Sequence, residues 1–283
     1  MLRAYYNLTK PGIIYGNLLT VVGGFLFGSA GNINIVSFIG VLSGTALVIG
    51  SACVVNNYTD RAIDKKMQRT RKRELVTKKI APESALVFAF MLGLLGFIAL
   101  GLLTNTYVVI SGIIAYVSYV LVYAYAKRKS YFGTLVGTVP GSMSLVAGYL
   151  AATNRLDIAV LILFLIMAAW QMAHFYAIAL FRKDDYKRAG IPVFPLVKGE
   201  EQTRRQIIFY ISLYLLLIIT LTVFGGASNT LLAVMVTVSL WWLLVARKEL
   251  GNNSAIWGRA VFGRSLVALL ALSAMLSVDS FLS

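Results

Sequence analysis

The chain has 283 residues, 59% of them hydrophobic and 13% charged, with a formal net charge of +15 and a mean hydropathy of +0.79. A soluble domain carries roughly 25% charged residues, so this composition excludes an ordinary soluble domain and points to an integral membrane protein. The single cysteine, Cys53, excludes an internal disulfide, and within its apolar run it reads as a small core residue.

In chain order, uncharged runs near the length that crosses a bilayer core, about 20 residues, lie at about 13–30, 35–57, 84–104, 106–126, 130–152, 158–180, 206–227, 229–246 and 265–278, the last of them short. The expected fold class is therefore all-α: a polytopic membrane protein with nine transmembrane helices. The opening segment MLRAYYNLTKPGIIYGNLL lacks a small-residue cleavage site behind a short apolar core, so it is read as a retained first helix. Of the 26 Lys and Arg, 25 fall at the N-terminus or in every second gap, and only Arg155 falls on the other side. By the positive-inside rule, the N-terminus and the gaps after helices 2, 4, 6 and 8 are cytoplasmic and the C-terminus is outside. The basic charge thus sets topology and faces anionic lipid or an anionic ligand. No nucleic-acid partner is implied.

Two inner gaps are long, roughly 58–82 and 181–205. Each follows the second helix of a four-helix set, which suggests a parallel internal repeat. The expected organisation is one domain over 1–283, with a pseudo-repeat of 1–128 and 129–250, an extra helix at 260–283, and the polar loops capping the active site. Frequent glycines within the helices, such as Gly24, Gly44 and Gly148, read as close helix packing, since lipid gives no hydrophobic push between helices.

Three polar clusters interrupt this pattern. The first, NNYTDRAIDKKMQRT, spans residues 56–70 at the end of helix 2. If the helix continues, Asn56, Asn57, Asp60 and Asp64 project from one side of it. A solvated, salt-bridged helix end is the bland reading. Against it, Asp60 over Asp64 and Arg61 over Lys65 stack like charges at i,i+4, which is destabilising, and Arg61–Asp64 is the only ready opposite pair. A divalent cation would convert the carboxylate repulsion into shared coordination. Carboxylate and amide oxygens suit a hard ion such as Mg²⁺, which is usually held by one or two carboxylates plus phosphate oxygens. Arg69, Lys72 and Arg73 then have a diphosphate to neutralise.

The second cluster is WQMAHFYAIALFRKDDYKRAGIPVF, residues 170–194, which holds His174, the only histidine. A lone histidine in an apolar run is more often a satisfied core residue, and Asp184 and Asp185 could be plain loop charge. Their placement, where the repeat puts the counterpart of Asp60 and Asp64, favours function. Asp185 is accordingly a candidate metal ligand, Lys187 a diphosphate contact, and Asp184 and Tyr186 further polar candidates. In the third cluster, YAYAKRKS at 123–130, Lys127 and Arg128 either anchor the helix at the interface or reach the same anion, with Tyr123 beside them.

At these residues the chain resembles the haem O synthases, a branch of the membrane-embedded prenyltransferase superfamily of the UbiA type. Asn56, Asn57, Asp60, Asp64, Met67, Arg69 and Thr70 match that family's Asn-Asn-x-x-Asp-x-x-x-Asp-x-x-Met-x-Arg-Thr signature. TKPGI (9–13), KRKS (127–130) and WQMAHF with DYKRAGIPVFP match further blocks. Glu74, Gly133 and Ala173 depart from it, standing where many members have Pro, Asn and Pro. The resemblance implies transfer of a farnesyl group from farnesyl diphosphate to a vinyl group of haem B, with Mg²⁺ as cofactor. Asp60, Asp64 and His174 would be the catalytic residues, and Trp170, Gln171 and His174 would face haem. His174 would approach the haem iron or steer a proton near the vinyl group; the sequence leaves both open. A bacterial cytoplasmic membrane location follows, with contact to a haem-copper oxidase or haem A synthase. The competing readings are a prenyltransferase acting on an aromatic quinone precursor and, from another class, a membrane transporter.

Overall fold

A computed structural model describes residues 1–248, 253–279 and 281. Among these residues the chain is helical without strands, and nine helices are long and apolar enough to cross a membrane: Pro11–Ser29, Ile35–Thr59, Pro82–Leu103, Thr106–Lys129, Gly133–Thr153, Ile158–Phe181, Glu200–Gly225, Asn229–Arg247 and Ser254–Asp279. These are called the first to ninth spans below. Helices are the natural answer to a solvent that cannot hydrogen-bond a backbone.

Their ends follow local chemistry. The second, fourth, sixth and eighth spans each start with a capping side chain: Asn34, Asn105, Asp157 and Ser228 accept from the backbone N–H three residues on. Such caps satisfy donors that a helix start leaves open. The first, fifth and seventh spans end in left-handed residues, Ala30, Asn154 and Gly226.

The second span packs along the third, the first along the fifth and ninth, and the sixth against the fifth, seventh and ninth. The second, fifth and sixth are the most enclosed, while the third and fourth turn most of their surface outward. The first and fifth spans cross at Gly24 and Gly148. A Cβ at Gly24 would lie 2.2 Å from the Leu145 carbonyl oxygen, and one at Gly148 would lie 2.2 Å from that of Val21. Small residues at such a crossing let backbones approach without an energetic penalty.

Several boundaries differ from expectation. A short helix, Leu2–Leu8, precedes the first span. The seventh span begins at Glu200 rather than near 206, because Glu200 and Glu201 in its first turn complement the helix dipole. The ninth begins at Ser254 rather than near 265, since Arg259 and Arg264 do not break it. Their guanidinium groups lie over the rings of Phe181 and Trp241, at 5.9 and 5.6 Å, as long basic side chains do at membrane edges. Spans therefore carry charge outside the three clusters, including a buried Asp279 at the far end of the ninth, which accepts from Ser228. The extra helix expected at 260–283 is Ser254–Asp279 among the described residues, and residues 280, 282 and 283 lie outside them. Both long loops are partly helical, at Arg61–Asp64, Lys183–Ala189 and Phe194–Val197.

Candidate active site

The second span ends at Thr59, but the i,i+4 backbone bonds continue: the Asp60 N–H donates to Asn56 O, and the Asp64 N–H to Asp60 O. Asn56, Asp60 and Asp64 therefore stay on one side of the chain as it leaves the membrane. All are buried, with Asp60 and Asp64 only 7% and 4% exposed. Buried carboxylates need partners, and the cationic ones come from two other segments.

Lys127 and Arg128, at the end of the fourth span, pair with Asp60 at 2.5 and 3.1 Å. Arg128 also donates to the Thr59 carbonyl at 2.7 Å. Arg73 pairs with Asp64 at 2.7 Å. The expected Arg61–Asp64 pair does not form; Arg61 lies over the Tyr58 ring at 4.0 Å. Carboxylate repulsion is thus relieved by protein cations distant in sequence, a partnership that helix spacing alone does not reveal. Burial by itself would raise the Asp60 carboxyl, but the Lys127 charge and the Lys127 and Arg128 hydrogen bonds outweigh it, holding Asp60 below its ordinary value.

Lys10 joins this group unexpectedly. Its Nζ donates to Asn56 Oδ1 at 2.5 Å, and Asn56 Nδ2 donates to Asp60 at 2.9 Å. Lys10 precedes Pro11, which disfavours right-handed helix at position 10, and it adopts φ 53°. Burial pushes its ammonium down to about 8, partly opposed by the Asp60 and Asp64 charges. Its signal in the sequence was the Lys-Pro pair at the mouth of the first span, within TKPGI.

The fourth span carries a π-helical segment, Ser118–Tyr123, of the kind often found at functional sites. It stacks Tyr119 on Tyr123, with centroids 5.5 Å apart, and Lys127 Nζ sits 5.0 Å above Tyr123. No sequence pattern announced this segment or Tyr119.

The two long loops meet. Asp185 accepts the Gln68 N–H at 3.1 Å and pairs with Arg188, and these bonds hold its carboxyl low against the opposing effect of burial. Tyr186 beside it has its phenol pushed up by burial, against the charges of Arg69 and Arg182. Arg69, Lys72, Asp184 and Lys187 are exposed.

Trp170, Gln171 and His174 form a separate group, buried on the sixth span. Gln171 faces the fifth span, donating to Ser142 Oγ at 3.1 Å and to Thr138 O at 3.4 Å. His174 faces the ninth: Nδ1 lies 2.7 Å from Ser265 Oγ, Trp170 stacks on the ring at 4.6 Å, and Phe262 and Phe175 lie beside it at 4.8 and 5.4 Å. His174 makes no hydrogen bond or ring contact with the carboxylate cluster, so the expected catalytic set of Asp60, Asp64 and His174 stands as two groups.

As for a cation, no three His, Cys, Asp or Glu side chains converge among the described residues. The oxygen donors do suit a hard ion shared with a ligand. Asp64 takes the Arg73 bond on Oδ2, and among the described residues Asn57, whose Nδ2 donates to the Leu8 carbonyl at 2.8 Å, has a buried Oδ1 without a partner.

The sequence model of the UbiA prenyltransferase family matches residues 17–276. Protoheme IX farnesyltransferases of Yersinia pseudotuberculosis serotype O:1b (strain IP 31758) and Serratia proteamaculans (strain 568) are 44% and 46% identical over 281 residues, 99% of this chain and 95% of each relative. Among solved structures, a digeranylgeranylglyceryl phosphate synthase study gives a TM-score of 0.82 at 18% identity, covering 100% of this chain and 99% of that one. A UbiA homologue from Archaeoglobus fulgidus bound to GPP and Mg²⁺ gives 0.73 at 16%, covering 97% and 100%. The chain belongs to the UbiA prenyltransferase family.

Proposed function

We propose that this chain transfers the farnesyl group of farnesyl diphosphate to a vinyl group of haem B, giving haem O and diphosphate. The named activity of relatives at 44–46% identity along nearly the whole chain supports the acceptor and the donor. The observation that carries the diphosphate end is the buried Asp60 held by Lys127 and Arg128 across from Arg73 and Lys10.

The residues divide the work. Lys127, Arg128 and Arg73 turn from the carboxylates to diphosphate oxygens, with Arg69, Lys72, Lys187 and Lys10 adding charge. Asp60 and Asp64, with Asn56, Asn57 and Asp185, are the proposed Mg²⁺ ligands. Bound there, the ion supplies charge neutralisation for the leaving diphosphate. The allylic C–O bond breaks with its electron pair leaving on diphosphate, a charge these fixed cations stabilise as it develops. Tyr123 lies beneath Lys127 with Tyr119 stacked on it, an aromatic pair suited to the positive charge left on the prenyl chain. The vinyl π electrons capture that carbon, and water adds to the resulting cation and gives up one proton. Trp170, Gln171 and His174 are the proposed haem-facing group.

The reading includes a bacterial cytoplasmic membrane, an N-terminus inside, a repeat of 1–128 and 129–250, and delivery of product to a haem-copper oxidase or haem A synthase. Purified Asp60→Asn protein tests the site. Turnover should fall about a hundredfold or more while the protein stays folded in detergent. Near-normal turnover at ordinary Mg²⁺ would remove Asp60 from the chemistry.

A further inference from the structure

The ninth span stands outside the two expected four-helix sets, yet one of its residues bonds both aromatic members of the haem-facing group, Trp170 and His174. Ser265 is fully buried. Its carbonyl oxygen accepts the Trp170 indole N–H at 2.7 Å, and its hydroxyl meets His174 Nδ1 at 2.7 Å. The same hydroxyl lies 2.6 Å from the Phe262 carbonyl oxygen, one turn earlier.

A serine has one proton to give and lone pairs to receive. A carbonyl can only accept, so the Ser265 proton goes to Phe262 O. Towards His174, Ser265 Oγ can then act only as an acceptor, and Nδ1 must be the donor. We infer that Ser265 is a positioning residue that fixes His174 as the Nδ1–H tautomer and leaves the Nε2 lone pair as the ring's one acceptor. This inference deepens the haem-farnesylation reading and rests on it. Trp170 stacks on the ring, with Phe262 and Phe175 beside it, and with Nδ1 bonded to Ser265, Nε2 is the nitrogen left to meet an iron centre or take a proton. A histidine's outer partner is what generally decides which nitrogen is presented.

Because His174 is the only histidine, ¹⁵N-histidine labelling of the full chain, purified on a histidine-free tag, reads this one ring by NMR. Wild type should show the proton on Nδ1. Ser265→Ala should give mixed tautomers, and Ser265→Thr, which keeps the hydroxyl, should restore the single form. The Trp170 bond runs to the Ser265 backbone and persists in all three, so indole fluorescence serves as the folding control. In turnover, Ser265→Ala should lose about tenfold to a hundredfold in kcat with KM for farnesyl diphosphate unchanged. An Nε2–H tautomer in wild type, or an unchanged Ser265→Ala spectrum, would overturn the inference. His174→Ala with normal turnover would instead overturn the haem-facing role of His174 and leave the tautomer result standing.

Discussion

Asp60 is the most constrained side chain of the site: buried, and held by Lys127, Arg128 and the Asn56 amide. Its folded carboxyl ionises below its unfolded one. The linked stability is therefore present above about pH 4, the ordinary carboxylate range, and is lost as pH falls through the folded value. Melting of the detergent-solubilised protein should show this acid limb, and Asp60→Asn should flatten it; an unchanged limb would assign it to other groups. Lys10 makes a different prediction. A charge-assisted bond is worth about 1.5–3 kcal/mol, so Lys10→Ala should raise KM for farnesyl diphosphate about tenfold or more, with kcat less affected. Steady-state kinetics checks the split. The carboxylates and the basic residues beside them were legible, because their charges stand out in an apolar chain. Their pairing was not, since Arg73–Asp64 and Lys127–Asp60 depend on how a loop folds back and where the fourth span ends.

Among the elements, hydropathy located the spans well, because a bilayer demands a nearly fixed length of apolar helix. It failed at the seventh and ninth, where charged residues belong to the helix. Arg259 and Arg264 looked like loop residues by charge alone, yet both lie within the helix Ser254–Asp279, their guanidinium groups over aromatic rings. The π-helical segment of the fourth span and the role of Ser265 had no local signal, being products of packing. The crossing of the first and fifth spans yields a direct test. At Gly148 an added Cβ meets backbone that cannot move aside, so Gly148→Leu should cost about 1–3 kcal/mol or more. The thermal midpoint in detergent should drop accordingly, whereas Gly101→Leu, where a Cβ meets nothing within 4 Å, should leave it near wild type.

For the molecule as a whole, 25 of 26 basic residues divide to one side of the expected spans, which predicts the orientation. Cys53 is buried and is the only cysteine, so a Cys53→Ala background permits single-cysteine mapping. In intact cells an impermeant maleimide should label Arg155→Cys and spare Lys66→Cys, both exposed positions; the reverse pattern would invert the topology. The predicted orientation would place the carboxylate cluster and both polar loops at the cytoplasmic face, where a water-soluble diphosphate head would arrive while its prenyl chain stays in lipid. Burial of about fifteen carbons at roughly 0.8 kcal/mol per CH₂ gives the donor ample affinity. The central claim concerns what is made. Membranes containing this chain, given haem B, farnesyl diphosphate and Mg²⁺, should yield a haem heavier by one farnesyl chain plus one hydroxyl, identified by mass, with diphosphate released. Unchanged haem alongside prenylation of an added aromatic quinone precursor would contradict the account.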